Sequence, residues 1–276
     1  MRHPSLSRIV WQDLCQQSPL EVAYNLILPF PFFLFSWWCA HQGWWLPALV
    51  GSFLFFTAAL RQAHDAYHNT LGVGRVLNNL MLYVLSSTML CSTHAIRKTH
   101  LNHHRDPLGA SDVEGNWARL PWYQAIIGGG IFSLRIQWYG LTHGSRRTRL
   151  QVALDMLITI SIFASALLWS PTVLVYHVLV MLLANTLVGF FAVWSVHHDC
   201  DEEVYARSER RLLANLFTFN LLYHMEHHLF PAVSTQHLPQ LAKRIEVTAP
   251  DWLAQPVLPV PAALLSLSSG TKKPLK

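Results

Sequence analysis

Long apolar runs dominate the hydropathy pattern of this chain. Residues 22–40, 44–60, 152–169 and 172–196 are each apolar over roughly the 17–25 residues that a helix needs to cross a bilayer. Pro29 and Pro31 interrupt the first run and predict a bend there. The joints His41-Gln42-Gly43 and Ser170-Pro171 leave room only for a tight reversal, so the four runs predict two helical hairpins. A further apolar run, residues 77–91, is short and carries Asn78, Asn79, Ser86, Ser87 and Thr88. It predicts a buried or re-entrant helix rather than a span. Residues 121–140, with the run Gly128-Gly129-Gly130 and scattered Trp and Arg, read as an element lying in the interface. Trp11, Trp44, Trp45, Trp122, Trp138 and Trp169 fit an aromatic belt at the membrane edges.

The expected fold class is therefore an all-α integral membrane protein, with four transmembrane helices in two hairpins and a cap built from the remaining polar segments. Residues 1–250 read as a single domain. Residues 251–276, rich in Pro, Ser and Lys, read as a loosely ordered tail. Arg2, Arg8 and Asp13 stand where a cleavable leader would place its apolar core, so none is expected.

Basic residues orient this pattern. Arg2 and Arg8 precede the first run, those from Arg61 to Arg149 lie between the hairpins, and those from Arg207 to Lys276 follow the last run. Neither joint carries Lys or Arg. Every basic residue thus falls on one face of a four-helix arrangement, and the positive-inside rule makes that face cytoplasmic. This parity requires residues 77–91 not to cross.

Composition agrees with lipid as the solvent. Hydrophobic residues make up 52% of the chain and charged residues only 13%, against roughly 25% charged in soluble domains. The net charge of +5 is explained by the one-sided loops and does not call for nucleic acid. Cys15, Cys39, Cys91 and Cys200 form no C-x-x-C pair, which argues against a disulfide framework or zinc ribbon.

Candidate chemistry enters with histidine. The chain holds 16 His in 276 residues, a frequency at which about 0.05 copies of an H-x-x-H-H pattern are expected by chance. Two are present, His100-x-x-His103-His104 and His224-x-x-His227-His228, together with His64-x-x-x-His68. Residues three and four apart share one face of a helix, so each box is expected to fan its ring nitrogens toward one point. Eight or more imidazoles exceed the four ligands of one zinc and suit two metal ions. The charge parity places all three boxes, and His197-His198 at the end of the last run, on the same face. Asp65, Asp199 and Glu226 sit in or beside the boxes and are candidates for accepting the second ring N–H of a ligand. Asp106 and Asp112 read as turn caps beside Pro107 and Gly109, with the same orienting role as the alternative. His94 lies off the face of its box. His177 and Asn185 lie inside the last run, either bonding between helices or lining a tunnel. His3, His41, His143 and His237 read as exposed.

The three boxes, in this order and spacing, resemble the membrane fatty-acid desaturase and hydroxylase superfamily, which includes carotenoid ketolases. The third, within Asn220-Leu221-Leu222-Tyr223-His224-Met225-Glu226-His227-His228-Leu229-Phe230-Pro231, is the most specific. The resemblance implies a non-haem di-iron centre, with O2 as co-substrate and hydrogen abstraction from an unactivated C–H bond. It implies His64, His68, His100, His103, His104, His224, His227 and His228 as iron ligands. His198 is the closer match to a ninth, with His197 as the fallback. Some acyl-CoA desaturases carry Asn four residues before that histidine, where this chain has Trp194.

The leading expectation is desaturation of a fatty-acyl chain drawn from the bilayer. The alternative is a hydroxylase or ketolase acting on a lipid or carotenoid. A histidine-rich metal transporter is disfavoured, because transporters place ligands near the midplane, and haem binding would use only one or two axial histidines. The chain carries no rubredoxin-type C-x-x-C pairs, no dinucleotide glycine fingerprint and no cytochrome b5 signature. A separate electron donor of ferredoxin, rubredoxin or cytochrome type is expected. Arg97-Lys98 and Arg146-Arg147-x-Arg149 are placed either to steer an acidic donor or to hold anionic lipid heads. The compact chain without a fused donor domain points to a bacterial inner membrane.

Overall fold

The computed structural model describes residues 4–200, 204–249 and 255–257. The expected tail, apart from residues 255–257, lies outside the described residues. The helices are α1 Pro19–Ile27, α2 Pro29–His41, α3 Trp45–His68, α4 Arg75–Met89, α5 Thr93–Arg105, α6 Trp122–Ile127, α7 Gly129–His143, α8 Arg146–Trp169, α9 Thr172–Val188, α10 Ser195–His197, α11 Leu212–Thr218, α12 His224–Leu229 and α13 Leu238–Thr248. A two-residue parallel pair, β1 Arg207–Ser208 with β2 Gln255–Pro256, completes the regular structure.

Among the described residues, four units are long and apolar enough to cross a membrane: Pro19–His41, Trp45–His68, Arg146–Trp169 and Thr172–His197. They are the four expected runs, each extended at its polar end. Pro29 has no N–H to give to the preceding turn, and the first span breaks there into α1 and α2. Ser18 and Glu21 close a reciprocal capping box at its start. The reversals use left-handed residues, Gly43 at φ +75° and Ser170 at φ +48°. Phe55, Ala59, Leu82, Leu85 and Met181 form the main apolar cluster between α3, α4 and α9. Leu46, Phe53, Leu157, Leu167 and Leu179 remain exposed, as side chains facing lipid do.

The run at residues 77–91 does not continue straight. α4 ends at Leu90 in the left-handed conformation, and α5 leaves at 113° to it. Backbone groups freed by such a break need partners in an apolar surrounding. Ser86 Oγ accepts from the Thr93 N–H, Gln137 Oε1 from the Ser92 N–H, and the Thr93 hydroxyl donates to the Leu82 carbonyl. The Ser92 hydroxyl caps α5 and donates to Asp155 on α8. Of the polar residues within this run, Ser86 stabilises the turn, joined by Ser92 and Thr93 just beyond it.

Residues 121–140 are not only interfacial. α7 buries Phe132, Ile136 and Gly140, and a Cβ on Gly140 would lie 2.7 Å from the Ala95 side chain of α5. The C-terminal segments pack with the N-terminal turns around Leu6, Ile9, Leu14, Leu229, Leu241 and Ile245. This cap is tied to α3 by Asp65, whose carboxylate accepts from the Ser234 and Thr235 hydroxyls and the Thr235 N–H and pairs with buried Arg61.

Candidate metal centre

The end of α3 continues past the apolar run and carries His64 and His68. α5, sent back by the turn at Leu90, carries His100, His103 and His104. α12 carries His224, His227 and His228. The last span ends through a π-helical stretch, Gly189–Trp194, before α10 delivers His197. Such stretches recur at functional sites. A Cβ on Gly189 would come within 2.9 Å of the Phe132 ring, so the close packing here needs glycine.

These elements bring together all eight boxed histidines, in two groups. His64, His68, His100, His104 and His227 form one, and His103, His197, His224 and His228 the other. Within each group, one ligand nitrogen per residue lies within 4.8 Å of all the rest. The expectation that each box converges on one point holds only for the first. Boxes two and three each split. On a helix, position i+4 lies about 40° to one side of i and i+3 about 60° to the other. His100 and His104 therefore face one group while His103 faces the other, and His224 and His228 pair against His227.

The spacing of the nitrogens fits metal ions. His103 Nε2 lies 3.1 Å from His197 Nε2 and 3.3 Å from His228 Nε2. His224 Nε2 lies 2.9 Å from His197 Nε2, and His227 Nε2 2.9 Å from His104 Nε2. Metal–nitrogen bonds of about 2.1 Å put neighbouring ligands about 3 Å apart. The opposite ring edges are held by acceptors. Asp112 accepts from His103 Nδ1 at 2.6 Å, Glu114 from His100 Nδ1 at 3.0 Å, and the Tyr205 carbonyl from His197 Nδ1 at 2.6 Å. A neutral imidazole that donates from Nδ1 presents a lone pair at Nε2. Lone pairs therefore face one another across the centre, where a cation satisfies them. Both nitrogens of His64, Nε2 of His68 and Nδ1 of His227 are buried without a partner. Burial, followed by the neighbouring rings, holds His224, His227 and His228 well below the ordinary imidazole range. Neutral rings are the form that binds metal.

Several expected residues stand elsewhere. His198 is outside both groups: its ring stacks on Trp194 at 4.1 Å and its Nδ1 donates to the Trp194 carbonyl. α10 ends at His197 and the backbone turns extended at His198, which directs the adjacent ring away. The fallback, His197, is the residue in the cluster. Asp65 holds Ser234, Thr235 and Arg61 rather than a histidine. Glu226 accepts from Ser208 and Arg210. Asp199 is exposed, in a left-handed conformation at φ +51°. Asp112 does cap its turn, accepting from the Leu108 and Gly115 N–H groups, and holds His103 at the same time. Glu114 was not singled out by the sequence; only its position two residues beyond Asp112 pointed to it. His94 bonds Asp155 at 2.8 Å, and His177 Nε2 donates to the Thr88 carbonyl at 2.8 Å. His237 is buried, not exposed, between the Leu14 carbonyl and Glu21.

A largely apolar cavity leads to histidines of both groups. His64, His100 and His224 lie at its wall with Phe132, Val188 and Val193. Asn185, expected to bond between helices or line a tunnel, does both.

The profile of the fatty acid desaturase family matches residues 42–255. The chain is 27% identical over 195 residues to the human sphingolipid delta(4)-desaturase/C4-monooxygenase DES2, covering 65% of this chain and 59% of that protein. The rat protein of the same name is 27% identical over 210 residues, covering 68% and 60%. The chain thus spans about three fifths of the length of the curated relatives it matches.

Proposed function

This chain belongs to the fatty acid desaturase family, and we propose that it is an O2-dependent di-iron enzyme that oxidises an unactivated C–H bond in a membrane lipid. The observation that carries this reading is the meeting of two imidazole groups with an apolar cavity at one end of four membrane-length helices. Bound iron would supply the activation of O2 and the removal of hydrogen from the chain.

The protein's own residues do the rest. His64, His68, His100, His104 and His227 hold one ion, and His103, His197, His224 and His228 the other. Glu114, Asp112 and the Tyr205 carbonyl fix ring orientation and tautomer. Phe132, Val188 and Val193 hold an alkyl chain beside the histidines of both groups and exclude water, which protects reactive species. Desaturation is the leading outcome. Hydroxylation is the second reading, favoured by relatives whose name joins a desaturase with a monooxygenase. Their sphingolipid substrates make N-acylated long-chain bases the first lipids to test beside fatty-acyl chains.

Electrons come from a separate small protein of ferredoxin, rubredoxin or cytochrome type. Arg146, Arg147 and Arg149 are exposed and lie where an acidic donor would be steered. The histidine end faces the cytoplasm, on the side of the basic residues. Lipid profiling after expression in a host lacking related enzymes tests the reading. New double bonds or hydroxyls that disappear in His103→Ala support it, and an unchanged lipid profile despite a folded, iron-loaded protein contradicts it.

A further inference from the structure

Two residues at the wall of the cavity carry buried polar atoms without a partner among the described residues, His64 and Tyr67. The His64 nitrogens belong to the first imidazole group. The Tyr67 hydroxyl has no such explanation. The side chain is 3% exposed, and the phenol oxygen is its one polar atom. Gln62 and Asn78 each lack a partner at one amide oxygen, but their amide nitrogens are bonded. Trp37 and Thr159, with orphaned groups of their own, do not line the cavity. Leaving a buried hydroxyl unpaired costs about 1–3 kcal/mol, and phenylalanine would fill the same space without that cost.

Tyr67 sits between the two histidines of box one, and its ring centroid lies 5.6 Å from that of His100. Tyr67, His64 and His100 line the same cavity, so an oxygen bound there by its hydroxyl would share that cavity with the first imidazole group. The apolar walls grip an alkyl chain anywhere along its length; a single hydrogen bond near the reacting carbon fixes which carbon stops there. We propose that Tyr67 is a specificity-determining residue whose hydroxyl donates a hydrogen bond to a hydroxyl oxygen carried on the lipid chain, selecting a chain with a hydroxyl near the carbon to be oxidised. This rests on the reading of the cavity as a lipid site.

The test compares the full-length protein with Tyr67→Phe, using N-acyl sphinganine and its counterpart lacking the secondary hydroxyl as probes. Three results are expected. Substrate-free Tyr67→Phe keeps its metal content and unfolds at the same or a higher temperature than wild type, because the hydroxyl it loses was unpaired. KM for the hydroxylated probe rises about tenfold, the worth of one hydrogen bond, while kcat and KM for the other probe stay within twofold. The thermal stabilisation given by the hydroxylated probe shrinks in the variant. Equal preference between the probes in wild type and variant would overturn the inference while leaving C–H oxidation intact. A lowered unfolding temperature with no change in KM would also overturn it, assigning the hydroxyl a structural role. If the underlying reading fails, neither probe is oxidised, and the thermal shift alone then decides whether Tyr67 recognises the hydroxyl.

Discussion

His103 Nε2 and His197 Nε2 face each other at 3.1 Å, while the Nδ1 of each ring points at an oxygen that can only accept, on Asp112 and on the Tyr205 carbonyl. Rings held this way turn their Nε2 atoms toward one another. His197 reaches this position from the last span and His103 from the re-entrant pair, so the contact joins the two halves of the bundle at the site.

His197 and His198 should therefore differ sharply. His197→Ala is expected to abolish turnover and lower bound iron. His198→Ala should keep both near wild type, because its ring stacks on Trp194 outside both groups. Iron content and product formation of the two purified variants check this. The reverse pattern would restore His198 as the ligand.

Asp112→Asn and Glu114→Gln each remove a charged acceptor from a ring edge. Loss of such partners costs about 10–100-fold in metal affinity or activity. The measurement is iron retention against a graded chelator challenge, with lipid oxidation alongside. Retention equal to wild type in both would mean that the carboxylates serve only their turns.

Asp65→Asn should act on stability instead. Asp65 and Arg61 are 2% and 1% exposed, and Asp65 joins α3 to the cap through Thr235. Removing one partner of a buried ion pair destabilises by about 3–5 kcal/mol. The variant should unfold at a lower temperature and bind iron normally where it remains folded. Unaltered unfolding with lost iron would make Asp65 a metal-site residue after all.

The metal-free protein should weaken in acid. Burial holds His224, His227 and His228 below the ordinary value of 6.5 in the folded chain. As pH falls past 6.5 the unfolded chain takes up protons that the folded chain does not, so stability falls. The slope approaches about 1.4 kcal/mol per pH unit for each such group. Above that range these residues contribute no pH dependence. Thermal unfolding of the apoprotein between about pH 7.5 and 5.5 checks the sign; a flat profile contradicts it.

The spans were legible because each is a long run that only lipid or a protein core can take. That residues 77–91 do not form a straight span was legible from their polar residues. The choice between His197 and His198 was not, because it depends on where a three-residue helix ends after a π-helical stretch. The orienting carboxylates were not legible for a related reason. Asp65, Asp199 and Glu226 adjoin boxes in sequence, but adjacency does not decide where a side chain points. Asp65 and Glu226 turn instead to Thr235 and Arg210. Asp112 and Glu114 reach the rings because the chain after α5 folds back over it. Nothing local in the sequence signals the burial of His237 between two N-terminal segments.

The most direct test of the central claim is the metal content of protein purified from membranes. Two iron ions per chain are expected, one for each imidazole group, with both His227→Ala and His197→Ala falling below that number and His143→Ala retaining it. A single exchangeable zinc, or iron content indifferent to His197 and His227, would contradict the two-metal site.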